Sequence, residues 1–223
     1  MTKELTNEQI KILKKLDKFF ARLYSHKGMS GSGAYDVGDI IGVLIGVKPA
    51  TVNYLFAFMM SSYKRAKLAK MIGKLGLEVE FENFTDMRSS GEIEKFNKYV
   101  RYYVSDSKKT LFTLRSMFKA LTEQEQSKDL NEKIGLMLGY PETAIDYYLY
   151  HRNESAEDEA RDARGYVLAS YYVHSLENVD AEFEAYEKPI FEVMSKYCPK
   201  VWEKFCETKV VLPSGDVLPV RTK

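Results

Sequence analysis

The chain has 223 residues, 45% of them apolar, and a formal net charge of +1 at pH 7. This is enough for one large hydrophobic core or two small ones, and no stretch approaches the ~20 apolar residues that span a bilayer. Two cysteines without a CxxC motif, Cys198 and Cys206, and a charged N-terminal segment without a signal peptide predict a reduced, cytoplasmic protein without a membrane partner.

The first predicted element is an amphipathic helix that begins near Thr6. Its apolar residues recur every three or four positions, as on one face of a helix: Ile10, Leu13, Leu16, Phe19, Phe20 and Leu23. A Gly/Ser-rich segment follows, and the glycines from Gly28 to Gly33 have the composition of a phosphate-binding loop. Because no strand precedes this loop and no Gly-Lys-Ser/Thr follows, a flexible connector is favoured.

Two segments, 36–56 and 129–149, align without a gap at a constant offset of 93 residues. Their identical positions are Asp36/Asp129, Ile41/Ile134, Gly42/Gly135, Gly46/Gly139 and Tyr54/Tyr147. Self-similarity at a fixed offset indicates a repeated supersecondary unit. In the first segment, Gly46 is placed to end one helix and Pro49 to begin another. The sequence therefore predicts two helix-turn-helix units, over 36–57 and 129–150.

The first of these units resembles the helix-turn-helix of lac-repressor-type bacterial regulators, with Ala50-Thr51-Val52 opening the second helix. The resemblance implies that this second helix enters the major groove of DNA and that its exposed face carries Lys48, Thr51, Asn53 and Tyr54. Phosphate contacts are then expected from the basic run that follows, Lys64, Arg65 and Lys67.

Two features oppose this interpretation. The first helix of the first unit also carries Val43 and Leu44, and a helix that is apolar all round is usually buried. The second unit places Glu142 and Asp146 where a DNA-binding helix would approach phosphates. A duplicated helical hairpin, whose glycines allow close crossing, accounts for the pattern equally well.

Further along the chain, residues 77–84 alternate apolar residues with glutamates, which predicts a strand with one solvated face. Its expected partner is a C-terminal hairpin within 208–221. Helices are predicted over 91–104, 107–121, 154–174 and 179–206. The fold class is thus mainly α, with duplicated helix-turn-helix units in a helical domain and a small β element formed by 77–84 and 208–221.

Charge divides the chain unevenly. Residues 1–75 carry a net charge of +8 and the remainder −7. This asymmetry suggests a basic N-terminal half, residues 1–90, and an acidic C-terminal half, residues 91–223. A basic half of this kind is typical of proteins that face nucleic acid, although solvated helix faces also account for many lysine-rich runs.

Catalytic and metal-binding patterns are weak. His151 and His174 flank an acidic segment, but their spacing matches no helical metal motif, and a solvated acidic face is favoured. No catalytic triad order, nucleotide fingerprint or cofactor motif is present, so no cofactor is expected and an enzyme is the least favoured class. The sequence predicts binding of nucleic acid, most simply duplex DNA, through the first unit. The alternative is a helical protein that binds a protein partner or its own copy and no nucleic acid.

Overall fold

The computed structural model describes residues 4–25, 32–85, 98–123, 127–151 and 177–207. The first elements are α1 (Asn7–Leu23), α2 (Ser32–Leu44), β1 (Ala50–Phe56), a 3-10 turn (Ala57–Met59) and α3 (Ser62–Lys74). They are followed by β2 (Glu78–Thr85), β3 (Lys98–Ser105), α4 (Lys108–Glu123), α5 (Lys128–Met137) and α6 (Glu142–His151). The last are α7 (Val179–Glu182), a π-helical turn (Phe183–Glu187), α8 (Lys188–Tyr197) and α9 (Pro199–Cys206).

The helix α1 begins where its sequence predicts. The Thr6 hydroxyl accepts a hydrogen bond from the Gln9 backbone N–H at 3.2 Å, and the Gln9 side chain accepts one from the Thr6 N–H at 3.0 Å. This reciprocal capping box satisfies two backbone donors that the first turn leaves unpaired. The apolar face of α1, including Leu13, Leu16 and Phe20, is fully buried.

The sheet has three antiparallel strands in the order β1-β3-β2. The prediction of a mainly α protein with a small β element is therefore confirmed, and so is the strand predicted at 77–84. The partner that the structure shows for β2 is β3, in a segment that was expected to be helical, and the pairing of β2 with 208–221 stays a prediction. The predicted hairpin 208–221, the acidic segment 154–174 and residues 28–31 of the predicted loop 28–33 lie outside the described residues, and the last two residues of that loop begin α2.

Most of the core lies between α2 and its neighbours. Val37, Ile40 and Ile41 of α2 are fully buried, and α2 packs against α1, α8, α9 and one face of the sheet. This core joins residues from both ends of the chain, such as Leu13 and Phe205. A smaller cluster on the other face of the sheet includes Tyr103, Leu111, Leu114, Ile134 and Leu138.

The second half of the first predicted helix-turn-helix is a strand. Residues 50–56 form β1 and pair with β3 over seven positions, from Ala50 opposite Ser105 to Phe56 opposite Tyr99. The segment ATVNYLF is rich in β-branched and aromatic residues, which fit a half-buried pleated surface, so pairing with β3 prevails over the helical pattern. The prediction of a helix-turn-helix over 36–57 is wrong.

The two similar segments nevertheless share their first half. Gly46 and Gly139 both end a helix with positive φ, +79° and +72°. In each turn, the N–H after the glycine donates to the carbonyl of the residue four positions before that glycine, as seen for Val47 to Gly42 and Tyr140 to Gly135. After the turn the segments diverge, into β1 in one and α6 in the other, so duplication of the whole unit is not shown.

The two glycine turns touch each other. A Cβ atom added to Gly139 would lie 2.7 Å from Pro49 Cδ and 3.0 Å from Lys48 Cα. The α5–α6 unit therefore sits against the connection between α2 and β1. Among the described residues, no helix is both long enough and apolar enough to cross a membrane.

Candidate functional site

Lys48, predicted to contact DNA, is buried instead. Its side chain is 3% exposed, and Nζ donates to Asp39 Oδ1 in α2. The aliphatic stem passes over Gly42, where an added Cβ would lie 3.1 Å from Lys48 Cδ. Nζ also lies 5.9 Å from the centre of the Tyr140 ring. Since a buried charge needs a partner, Lys48 serves to neutralise Asp39 in the core, and its assignment as a DNA contact is wrong.

The remaining predicted base-reading residues lie in β1. Thr51 and Asn53 are 3% and 2% exposed, on the side of the sheet that packs against α2. Tyr54 points to the opposite face, because side chains alternate along a strand. There its ring lies 5.9 Å from that of Phe84 and 5.1 Å from the Arg101 guanidinium. Thr51, Asn53 and Tyr54 therefore share no surface, and their assignment as a common recognition face is corrected.

The predicted phosphate contacts have a different environment. Lys64 and Arg65 lie in the first turn of α3, where Lys64 Nζ donates to the Met59 carbonyl at 2.8 Å and Arg65 Nε to the Met60 carbonyl at 3.1 Å. Lys67, one turn further, is exposed. Lys64 and Lys67 both line a surface groove.

This groove of about 720 Å³ runs between α1 and α3. Gln9 Nε2, near the start of α1, donates to the Leu75 carbonyl just after α3, so the two helices run antiparallel. On α1 the groove is lined by Lys15, Lys18 and Arg22. On α3 it is lined by Lys64, Lys67, Lys70 and Lys74. Its apolar lining comprises Ile12, Phe19, Leu23 and Met71, with Ser61 and Tyr63 at one end.

Helical periodicity explains how each row of cations forms. Lys15, Lys18 and Arg22 follow the spacing i, i+3, i+7, which places them on one helix face, and Lys67, Lys70 and Lys74 repeat that spacing. Like charges three or four residues apart on a helix repel each other by about 0.2–0.5 kcal/mol per pair. Two such rows facing one groove therefore hold unfavourable repulsion that a bound anion would relieve.

Among the residues that the structure describes, no carboxylate offsets this charge. Residues 40–77 contain neither Asp nor Glu, and no acidic residue lines the groove. Within the described ranges, Lys67, Lys70 and Lys74 form no ion pair, and neither do the three cations of α1. The groove is thus a concentrated positive site, of the kind that attracts a polyanion.

A second polar cluster is closed to solvent. Asp36 accepts hydrogen bonds from the hydroxyls of Tyr24, at 2.7 Å, and Tyr102. Burial raises the pKa of Asp36 to about 7, although the two hydroxyls partly offset this. Because both tyrosines and the carboxyl are enclosed by the core, the cluster has a structural role and offers no ligand a path in.

Metal and thiol chemistry find no support in the part of the chain that the structure covers. No group of three or more His, Cys, Asp or Glu side chains there is placed to hold a metal ion. Both cysteines are free thiols, and burial raises the pKa of Cys198 and of Cys206. A raised pKa keeps a thiol protonated and unreactive at neutral pH.

Lysine-rich runs lie on both sides of residues 36–57 in the sequence, but nothing in the sequence shows that these two runs meet in the fold. The spacing i, i+3, i+7 within each cluster was the available signal for a cationic helix face. That these two faces border one groove depends on how α1 packs on α3. No protein-family model, curated protein or solved structure matches the chain. Function must therefore be inferred from the groove itself.

Proposed function

We propose that this protein binds nucleic acid in the basic groove between α1 and α3. The observation that carries this proposal is that, among the described residues, seven cationic side chains line both sides of the groove and no carboxylate does. A nucleic acid supplies a regular row of phosphates, and neutralising them releases condensed counterions, which favours binding.

The size of the groove fits a short stretch of backbone. At 1.5 Å per helical residue, the rows from Lys15 to Arg22 and from Lys64 to Lys74 are about 10 and 15 Å long. Each strand of a duplex has one phosphate per about 3.4 Å of helix axis, so rows of this length, laid along that axis, would span about three or four phosphates. Each contact should contribute about 0.7–0.9 to the slope of log affinity against log salt concentration.

This proposal retains part of the role predicted from sequence. Lys67 remains a candidate phosphate ligand, and so does Lys64, which lines the groove although its Nζ also donates to the Met59 carbonyl. Arg65 does not line the groove and donates to the Met60 carbonyl. The residues expected to read base edges, Thr51 and Asn53, have no part in it, since they are buried. Residues 50–56 do not form an exposed recognition helix. Contacts with the sugar-phosphate backbone of the nucleic acid, rather than with base edges, are therefore the main source of affinity.

A protein partner is the second candidate. The partly exposed Phe19 and the exposed Tyr63 lie between the two basic rows, above the buried side chains of Ile12, Leu23 and Met71. An amphipathic helix with acidic flanks would bury its apolar side there and place carboxylates beside the lysines. This candidate predicts that an acidic peptide, and no oligonucleotide, occupies the groove.

The test is an anisotropy titration of a labelled oligonucleotide with three proteins. The groove variant Lys67→Ala/Lys70→Ala removes two exposed lysines from the wall formed by α3. The control Lys11→Ala/Lys14→Ala removes two exposed lysines with the same spacing from α1, outside the groove. We expect the groove variant to bind about ten-fold or more weakly at about 0.1 M salt, because each lost phosphate contact removes about 0.7–0.9 from the slope of log affinity against log salt concentration, and the control to bind as the wild type does.

Two results would contradict nucleic-acid binding in the groove. Absence of oligonucleotide binding by the wild type at about 100 μM protein, within the usual non-specific range, would contradict the proposal. Equal weakening by both variants would place the contacts outside the groove and would contradict it too.

A further inference from the structure

We infer that the groove accepts a single strand, whose bases turn inward onto Tyr63 and Phe19, rather than a duplex. This inference rests on the proposed function and names the form of nucleic acid that the same groove takes. Three features of the groove support it: the partly exposed ring of Phe19, the exposed ring of Tyr63 at one end, and the placement of the cations on both sides.

The aromatic rings of the groove favour a ligand that can enter between the two rows of cations. Ile12, Leu23 and Met71 at the floor of the groove are buried, whereas Phe19 is partly exposed and Tyr63 is exposed. In a duplex the base faces are stacked on one another, and only the sugar-phosphate backbone and the base edges are accessible. A duplex resting on the two rows of lysines would therefore leave these two rings without a stacking partner. An unpaired base has two open aromatic faces, and it can leave the backbone line to stack on them.

Tyr63 is the side chain best placed to receive such a base. It is 76% exposed although it lines the groove, and it packs on no other ring among the described residues. Phe19, on α1, is partly exposed at the same groove, and its ring is fixed edge-on against Phe20, with centroids 5.2 Å apart. The Tyr63 ring can therefore adjust to a base, and the Phe19 ring is held by Phe20.

The cations complete the arrangement. Lys64 follows Tyr63 directly, while Arg22 and Lys18 lie on α1 beside Phe19. A strand with its bases on the two rings would place its phosphates next to these charges. Stacking on aromatic side chains together with a cationic track is how proteins bind single strands without strong sequence preference. The groove has both components.

The first experiment compares strands of the same length. A labelled oligo(dT) of about 20 nucleotides, longer than most single-strand site sizes, is titrated with the wild type, alone and as a duplex with oligo(dA). We expect the single strand to bind at least about five-fold more tightly than the duplex at the same salt concentration. Stacking of one base on an aromatic side chain is sufficient for a difference of this size. Equal or tighter binding of the duplex would overturn the inference.

The second experiment removes the ring. Tyr63→Leu should weaken oligo(dT) binding by about five-fold or more, and Tyr63→Phe should bind nearly as the wild type does, because stacking needs the ring and not the hydroxyl. Tyr150→Leu is the matched control, because Tyr150 is similarly exposed and lies on α6, away from the groove. Unchanged binding by Tyr63→Leu would overturn the role of Tyr63.

These results separate the inference from the function on which it rests. If the duplex binds as tightly as oligo(dT) and Lys67→Ala/Lys70→Ala weakens both, nucleic-acid binding stands and the single-strand inference fails. If neither oligonucleotide binds but a labelled poly-glutamate peptide does, both fail, and the groove is a site for an acidic protein segment.

Discussion

At the scale of single residues, two buried carboxyl groups of α2 have partners within the core, whereas the exposed cations of the groove form no ion pair among the described residues. Asp39 and Lys48 pair inside the core, and Asp36 accepts hydrogen bonds from Tyr24 and Tyr102. A buried carboxyl without a cation beside it is more stable in its neutral form. Asp36 is therefore the residue whose protonation should affect folding most clearly near neutral pH.

We predict that Asp36 makes the protein less stable as pH rises. The pKa of Asp36 is about 7 in the folded protein, compared with an ordinary value of 3.8. Its contribution to the free energy of unfolding is therefore complete below pH 3.8 and is lost as pH approaches and passes 7. The free energy of unfolding of the wild type, relative to Asp36→Asn, should fall by roughly 2–3 kcal/mol between pH 5 and pH 8.

Urea unfolding of both proteins at the two pH values measures this difference. The other titrating groups, Asp17 among them, are present in both proteins, so the comparison isolates Asp36. A difference between wild type and variant that stays constant with pH would show that Asp36 is already ionised in the folded protein at pH 5.

At the scale of elements, the same helix end leads to two different structures. The turns at Gly46 and Gly139 match in φ and in hydrogen bonding, yet a strand follows one and a helix the other. The glycine turns were predictable because a helix stop is a local feature. The strand β1 was not, because its pairing partner β3 lies about 50 residues away and was itself predicted to be helical.

The contrast with β2 shows why the sequence did not predict the strand β1. In β2, glutamates alternate with Val79 and Phe81, so the period of two is visible in the sequence without knowledge of a partner. In β1 the polar residues Thr51 and Asn53 fall on the buried face, which reverses the usual pattern. The side-chain amide of Asn53 has no hydrogen-bond partner among the described residues, and nothing in the sequence marks such a residue as part of a core.

We predict that Gly46→Ala and Gly139→Ala lower the free energy of unfolding by different amounts. Both positions have positive φ, which costs an alanine about 1 kcal/mol. A Cβ on Gly46 meets nothing within 4 Å, so Gly46→Ala should lower the free energy of unfolding by only that amount. A Cβ on Gly139 would press on Pro49 and the Lys48 backbone, and such overpacking adds about 1–3 kcal/mol.

Denaturant unfolding of the two variants under one condition makes the comparison. A larger loss for Gly139→Ala is expected, because backbone atoms on the opposing turn have little room to move. Equal losses in the two variants would mean that the α5–α6 unit does not press on the α2–β1 connection in solution.

At the scale of the whole molecule, the excess positive charge of the N-terminal part is concentrated where α1 and α3 face each other. Composition and charge asymmetry could be read from the sequence, and they indicated a polyanion as partner. The surface that carries the charge could not be read, because it depends on packing between helices some 40 residues apart. The helix-turn-helix resemblance pointed instead to residues that the fold buries.

The most direct test of the central claim, that the groove between α1 and α3 contacts phosphates, is the salt dependence of oligo(dT) binding. The slope of log affinity against log salt, measured between about 50 and 200 mM, counts the phosphate contacts at about 0.7 each for a single strand. For Lys67→Ala/Lys70→Ala we predict a slope smaller in magnitude by about 1.4 than that of the wild type, and for Lys11→Ala/Lys14→Ala an unchanged slope. Equal slopes for all three proteins would contradict the claim that the groove contacts phosphates.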